Sequence, residues 1–444
     1  MYKKYFIADL VNGLDRLEGS TVRVCGWLHN LRDVGRIKFL VVRDRTGTIQ
    51  AVFKRGCCGE EEFRRIGKLR LETVLCVEGV LARGRTREGV EVKGERVEIL
   101  SEPVEPLPLE PATSLEAGLA TRLNYRWLDT RNPWVNGIFR FEALVAKAFR
   151  DYFRERGFVE IFTSKIVAAG TESGAEVFPV IYFGREAYLA QSPQFYKQMA
   201  VIGGFERVFE IGPVFRAEPH HTTRHLTEYH SLDIEMGFIE GPEDVMAEVE
   251  GFFRKIKEYA EKDPDARAVL EQHGAGEIRI PRTGIPRLSI RDAYKILEEE
   301  YGKHLPWGED LDSEAERLLG EYASKTFDSD FIFITEYPWN ARPFYTMRLE
   351  DEPDWTTGFD LLYRGLEVVT GSQREHRYEV LVSNLHDKGL NPESFKFYLD
   401  FFKHGAPPHG GAGMGLERIV MQTLRLNNIR EARLLPRDPE RLLP

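Results

Sequence analysis

Residues 207–239, RVFEIGPVFRAEPHHTTRHLTEYHSLDIEMGFI, decide the architecture. Val208–Phe215 and Thr227–Ile239 read as two strands. In the second, His230, Leu232, Ile234, Met236 and Phe238 fall on one face, and Tyr229, Ser231, Asp233 and Glu235 on the other. One face is core and the other is polar, so the pair predicts a hairpin with a working face. Its connection, from Arg216 to Leu226, gathers two arginines and three histidines (His220, His221, His225) beside Glu218. Such a loop suits a triphosphate: cations neutralise phosphate oxygens, and Glu218 can accept from an amino group such as adenine N6. A solvated basic surface loop has the same composition.

Moving outward, 331–337 and 362–370 read as further β segments. Between them and the hairpin lies a mostly helical excursion, about 241–330, in which Val245, Val249, Phe252, Phe253, Ile256, Tyr259 and Ala260 form an apolar stripe. Upstream, Phe141, Leu144, Val145, Ala148, Phe149, Tyr152 and Phe153 recur at helical spacing up to Gly157, and Phe158–Ile166 reads as a strand. Near the C-terminus, His409-Gly-Gly-Ala-Gly413-Met-Gly415-Leu416-Glu417-Arg418 runs into the periodic Ile419, Val420 and Leu424. Glycines ahead of a helix let backbone approach a ligand closely, and Arg418 in the first turn aims a guanidinium at it.

Residues 1–102 have a different texture. Short β segments with turn signals run from Thr21 to Leu100, with Arg45-Thr46-Gly47 at a hairpin turn, which suggests a small closed barrel of the oligonucleotide/oligosaccharide-binding (OB) type. Pro103, Pro106, Pro108 and Pro111 then mark a boundary. The expected organisation is a barrel over 1–102, a hinge over 103–135 and a large domain over 136–444.

The 444 residues carry 61 Lys+Arg against 71 Asp+Glu, a net charge of −10. The charge is uneven: residues 1–100 hold 20 basic and 14 acidic residues, so a basic front module joins an acidic body. That asymmetry permits nucleic-acid binding by the front module. No apolar run reaches the ~18 residues of a membrane span, and the N-terminus does not read as a secretion signal, so a cytoplasmic protein is expected. Cys25, Cys57, Cys58 and Cys76 show no paired C-x-x-C spacing, and neither a disulfide nor a zinc site is expected.

Three motifs together resemble the class II aminoacyl-tRNA synthetases, most closely the archaeal/eukaryotic-type aspartyl group: Gly157-Phe-Val-Glu160-Ile-Phe-Thr163-Ser164, Phe215-Arg216-Ala217-Glu218 and Gly413-Met-Gly415-Leu416-Glu417-Arg418. Ser164 stands where the first motif normally carries proline. The resemblance runs end to end and implies an α+β chain: a five-stranded OB-fold barrel followed by a class II catalytic domain, an antiparallel sheet flanked by helices. It implies activation of L-aspartate by ATP, transfer to the 3′ end of tRNA(Asp), Mg²⁺ as cofactor, and a homodimer.

Site residues follow from the same resemblance. Arg216 would hold the α-phosphate and the reacting carboxylate, with Arg418 as the second catalytic arginine, packed on adenine opposite Tyr229. Glu218 would read adenine, Arg224 and His225 would meet the outer phosphates, and Leu226, Glu367, Gly415, Leu416 and Glu417 would complete the ATP site. Gln191-Ser-Pro-Gln194-Phe-Tyr-Lys197 matches the aspartate-type segment, with Lys197 and Arg374 as the β-carboxylate clamp, Glu172 and Asp233 receiving the α-ammonium, and Gln194, Arg216 and Thr370 alongside. Asp360, Glu367 and Thr370 would hold Mg²⁺. In the barrel, Arg32, Phe39, Gln50 and Glu78 would read the anticodon. His29 occupies a place where a histidine accompanies charging of tRNA(Asn) as well, whereas Arg87 supplies a positive charge typical of tRNA(Asp)-restricted members. The expectation adopted is the relaxed one. Alternatives are an asparaginyl-tRNA synthetase, a non-catalytic RNA-binding paralogue, and an ammonia-dependent asparagine synthetase on the same scaffold.

Overall fold

The computed structural model describes residues 5–168, 176–219 and 222–444. Two compact units divide the chain, the first ending at Asn136 and the second spanning Gly137–Pro444.

In the first unit, strands β1 (Thr21–Asp33), β2 (Ile37–Asp44), β3 (Gly47–Lys54), β4 (Val74–Arg83) and β5 (Val90–Ser101) close a barrel in the order β1-β2-β3-β5-β4. Alternation drives it: Leu40 and Val42 of β2 and Ile49, Ala51 and Phe53 of β3 point inward and are buried. Gly94 has a steric reason, since a Cβ there would lie 2.3 Å from the Phe53 ring. The β1–β4 register sets Cys25 directly opposite Cys76, and the two form a disulfide, correcting the expectation that none is present. The pairing joins residues 51 apart, and only the strand register brings them together. Beyond the proline-rich stretch, short helices at Leu119–Asn124 and Arg126–Asp129 are pinned by Asp129, which receives Arg122 at 3.1 Å and Arg126 at 2.6 Å.

The second unit is built on an eight-stranded sheet containing β6 (Val159–Glu160), β10 (Arg207–Phe215), β11 (Glu228–Gly237), β12 (Arg287–Ser289), β13 (Phe331–Thr335), β14 (Phe359–Tyr363), β15 (Leu366–Arg374) and β16 (His409–Gly415), in the order β12-β13-β14-β15-β16-β11-β10-β6. A small three-stranded sheet, β7 (Ile166–Val167), β8 (Pro179–Tyr182) and β9 (Arg185–Leu189), stands apart. The central strands are antiparallel, but β12–β13 and β10–β6 at the two ends are parallel, so the sheet is mixed rather than wholly antiparallel. Pro213 is tolerated in β10 because β6 pairs with Val208 and Phe209, so among the described residues no strand pairs with Pro213 on that side.

Helices cover the sheet. Pro133–Glu155 begins under an Asn132 cap, Oδ1 accepting from the Trp134 N–H at 3.0 Å, and buries Ile138, Phe141, Val145, Phe149 and Phe153. Phe149 meets Phe252 of the helix Pro242–Lys262 edge to face at 5.1 Å. Three segments differ from their sequence reading. Of Phe158–Ile166, only Val159–Glu160 pairs as a strand in the main sheet; further on, the Thr163 N–H and hydroxyl bond the Glu210 carboxylate, at 2.9 and 2.7 Å, instead of a neighbouring strand. The run 362–370 is split by a turn at Arg364-Gly365, both at positive φ, into β14 and β15. The glycine-rich stretch His409–Gly415 is itself a central strand, not a loop before a helix. Among the described residues, no helix is long and apolar enough to cross a membrane.

Candidate active site

The register of β11, β16 and β15 assembles a charged face. Asp233 lies across from Gly413 and Glu235 from Gly411, while Thr370 and Arg374 of β15 pair with Gly413 and His409 on the other side. Gly411 is required: a Cβ there would sit 2.1 Å from Glu235 Oε2 and 2.2 Å from a backbone carbonyl. The glycines of β16 thus clear space for carboxylates lying over the sheet.

Above this face is a cleft of about 440 Å³ bordered by Gln194, Lys197, Arg216, Glu218, Arg224, His225, Leu226, Tyr229, Asp233, Glu367, Thr370, Arg374, Gly415, Glu417 and Arg418. Fifteen of the expected ATP and amino-acid residues therefore share one cavity. Leu416 does not border it; its side chain is buried at the start of the helix Leu416–Thr423. Glu172 lies outside the described residues, as do His220 and His221.

At one end, Lys197 Nζ donates to Asp233 Oδ1 at 2.8 Å and to the Ala412 carbonyl at 3.2 Å, and lies 3.5 Å from Glu235. Arg374 grips Glu235 through Nε and Nη2 at 3.0 and 3.3 Å, and reaches Ser372 Oγ and Gln194 Oε1 at 2.7 and 3.3 Å. Glu235 is fully buried; burial alone would raise its carboxyl, but Arg374 and Lys197 hold it below the ordinary value. Glu235 was visible in the sequence as a member of the polar face, without a role.

At the other end, Arg418 Nη1 donates to the Glu367 carbonyl at 2.9 Å, and the Arg216 guanidinium lies 5.8 Å from the Tyr229 ring. Arg224 is ion-paired to Glu316, a residue the sequence reading missed, whose carboxyl burial pushes up to about 7. His225 is not a cation: burial, then Arg418 and Arg224, push it down to about 4, so it enters the site as neutral imidazole. Glu417 borders the cleft, but its carboxylate accepts the His230 N–H at 3.1 Å and Arg433 Nη1 at 2.9 Å. The 216–227 loop is tied from the C-terminal side, where the Ile429 N–H donates to the Thr223 carbonyl at 2.9 Å and the Thr227 N–H to the Arg437 carbonyl at 3.1 Å.

The expected metal residues separate. Glu367 accepts from the Thr370 hydroxyl at 2.9 Å; burial would raise its carboxyl, but Arg418 and Thr370 keep it low, so an ionised oxygen ligand faces the cleft. Asp360 is not among the residues bordering the cleft. Both of its oxygens are held by Arg342, at 3.1 and 2.6 Å, behind the cleft wall, and burial pushes its carboxyl up to about 6. Arg342 carries no recognisable motif, so the pair was not foreseen. Among the described residues, one group of three carboxylate and imidazole ligands has metal-binding spacing, Glu142, His230 and Glu417, and the Arg433 guanidinium already bonds two of its members.

On the barrel, Arg32 pairs directly across from Phe39 with its guanidinium 4.4 Å from the ring centre, and Phe39 is half-buried outside the hydrophobic core. Gln50 shares that outer face, its amide 3.5 Å from Glu91. Glu78 is paired to Arg23 at 2.6 Å. His29 accepts from Arg43 at 3.1 Å and is held below its ordinary value by burial and then by Arg43; Arg87 is exposed between β4 and β5.

A mixed sheet with arginines from two motifs converging over a glycine-cleared acidic strand, carried with a separate OB barrel, defines a class II aminoacyl-tRNA synthetase. The chain belongs to the family described as tRNA synthetases class II (D, K and N), whose model matches residues 118–439, while an OB-fold nucleic acid binding domain matches 22–100. It is 67% identical over all 444 residues, and over the whole of both chains, to an aspartate–tRNA(Asp/Asn) ligase of Aeropyrum pernix. It is 45% identical to an aspartate–tRNA(Asp) ligase of Pyrococcus abyssi, over 97% of this chain and 98% of that one. An asparaginyl-tRNA synthetase of Pyrococcus horikoshii complexed with asparaginyl-adenylate superimposes with a TM-score of 0.91 at 33% identity over 100% of both chains.

Proposed function

We propose that the chain is an aspartate–tRNA ligase that activates L-aspartate with ATP and charges both tRNA(Asp) and tRNA(Asn). The two cations at the amino-acid end of the cleft carry the reading. Lys197 and Arg374 are both buried, border the cleft and lie on the one carboxylate of Glu235. A substrate side-chain carboxylate meets both charges, whereas a carboxamide offers one acceptor and no charge. Asp233 receives the α-ammonium, Lys197 and Arg374 the side-chain carboxylate, and Arg216 the α-carboxylate together with the α-phosphate.

Holding those two groups in line supplies the rate, since carboxylate attack on the α-phosphate needs alignment and charge neutralisation rather than a covalent protein intermediate. Arg418 and Tyr229 bracket the adenine, Glu218 accepts from its amino group, and Arg224 with neutral His225 bonds the outer phosphates. Glu367, with the Thr370 hydroxyl beside it, would hold Mg²⁺, which supplies positive charge to the phosphates when bound. Phe39 stacks an anticodon base beside Arg32 and Gln50, while Glu78, paired to Arg23, is assigned to anticodon reading on the family resemblance alone. The histidine at position 29 supports acceptance of both tRNAs, as does the similarity to the Aeropyrum pernix ligase. The reading includes a cytoplasmic location and a homodimer, supported by the exposed Phe162, Ile181 and Phe183.

Aspartate-dependent ATP–pyrophosphate exchange, followed by charging of each tRNA transcript, tests this. Exchange with asparagine but not aspartate would overturn the amino-acid reading. Charging of tRNA(Asp) with none on tRNA(Asn) would overturn the relaxed one.

A further inference from the structure

Behind the residues that border the cleft, a buried polar chain runs from its amino-acid end into the core. Arg374 Nη2 donates to Gln194 Oε1 at 3.3 Å. Gln194 Nε2 donates to Gln198 Oε1 at 3.0 Å, one helical turn on, and the Tyr398 hydroxyl donates to the same oxygen at 3.2 Å. Gln198 Nε2 meets His409 Nε2 at 2.9 Å, and His409 Nδ1 stands 2.8 Å from the Pro407 carbonyl. Gln198, Tyr398 and His409 are fully buried and do not border the cleft, so none of them can turn to water for a substitute partner.

The bonding admits one arrangement. A carbonyl oxygen only accepts, so the His409 proton sits on Nδ1; burial holds the imidazole below its ordinary value, so Nε2 is bare and must accept. Gln198 therefore turns its NH₂ toward His409 and its oxygen toward Gln194 and Tyr398. Gln194 in turn gives its NH₂ to Gln198 and its oxygen to Arg374. Of the five guanidinium hydrogens of Arg374, two are taken by Glu235, one by Ser372 and one by Gln194, leaving one on Nη1 for a ligand. Were the Gln194 amide reversed, donor would face donor and the guanidinium would lose its seat.

We infer that His409 is a positioning residue for amino-acid selection: its Nδ1–H tautomer, set by the Pro407 carbonyl, fixes through Gln198 which end of the Gln194 amide meets Arg374. This rests on the reading that Arg374 receives the substrate's side-chain carboxylate.

ATP–pyrophosphate exchange on the full chain tests it. His409→Leu is expected to raise the aspartate KM roughly tenfold, the scale of losing the charge-assisted Arg374–Gln194 bond that the chain supports. The ATP KM should stay unchanged, and the preference for aspartate over asparagine should narrow by a similar factor. His409→Gln, whose amide oxygen reaches about as far as Nε2, restores both. In a Gln194→Ala background, His409→Leu has no further effect on the aspartate KM. Should His409→Leu fail to fold, Gln198→Met breaks the same chain at matched volume and is held to the same outcomes. An aspartate KM that does not move, that moves together with the ATP KM, or that still rises in the Gln194→Ala background overturns the inference. A parent enzyme without aspartate-dependent exchange overturns the amino-acid reading, and this inference with it.

Discussion

Arg374 and Glu235, 139 residues apart, meet as a two-point ion pair inside the sheet, Nε to Oε1 at 3.0 Å and Nη2 to Oε2 at 3.3 Å, with Glu235 wholly buried. The same carboxylate lies 3.5 Å from Lys197, so one acid holds two cations side by side that would otherwise repel. Glu235→Gln strands both. Removing one partner of such a pair costs about 3–5 kcal/mol. Urea unfolding should register that loss, and aspartate-dependent exchange should fall by more than about a hundredfold, since 3 kcal/mol at the clamp corresponds to that factor.

Arg216→Ala removes the charge proposed to be shared by the α-phosphate and the reacting carboxylate. Adenylate formation should drop by roughly a thousandfold. Binding of tRNA in a gel-shift assay should stay within about twofold, because the barrel residues are untouched and surface charge changes far from a contact are weak.

Phe39→Ala should do the opposite. Loss of one base stack weakens tRNA binding by about 1–3 kcal/mol, while pyrophosphate exchange without tRNA is unchanged. Filter binding alongside exchange separates the two effects.

Glu367 and Asp360, both drawn from the same run of sequence, should separate in a Mg²⁺ titration of exchange. Glu367→Gln is expected to raise the half-saturating Mg²⁺ concentration by about tenfold or more, the scale of losing one ionised ligand. Asp360→Asn leaves Arg342 buried without its countercharge; it should lower the melting temperature and leave the Mg²⁺ requirement where it was.

Burial, reinforced by Glu417, pushes the Glu142 carboxyl up to about 7 from its ordinary 4.5. The folded state therefore binds the proton more tightly than the unfolded chain. Stability is lost as pH rises from about 4.5 to about 7, where the folded carboxyl must ionise. Glu142→Gln removes that loss: its melting temperature should match the parent near pH 4 and exceed it at pH 8. An equal offset at both values would mean that Glu142 does not titrate in this way.

What could be read from sequence was what local period reveals. The hairpin of β10 and β11 declared itself because alternation of two survives in a strand with one polar face, and the stripe from Val245 to Ala260 because 3.6-residue spacing does the same for a helix. The turn at Arg364-Gly365 was hidden because strong apolar runs flank it on both sides. The Cys25–Cys76 bridge depends on a register between strands that no local pattern encodes. Asp360 and Glu367 looked alike as candidate metal ligands; only the third dimension places Arg342 against one and Thr370 against the other. The acid Glu235 was on the correct face, but its meaning lay in Arg374 and Lys197, far away in the chain. Resemblance supplied the site because it carries such distant pairings, which periodicity cannot.

The bonds from Ile429 to Thr223 and from Thr227 to Arg437 join a loop made midway through synthesis to residues made more than 200 codons later. A growing chain on the ribosome therefore holds its 216–227 loop without these two anchors until the C-terminal segment has emerged. The cleft is thus among the last parts of the molecule to be completed.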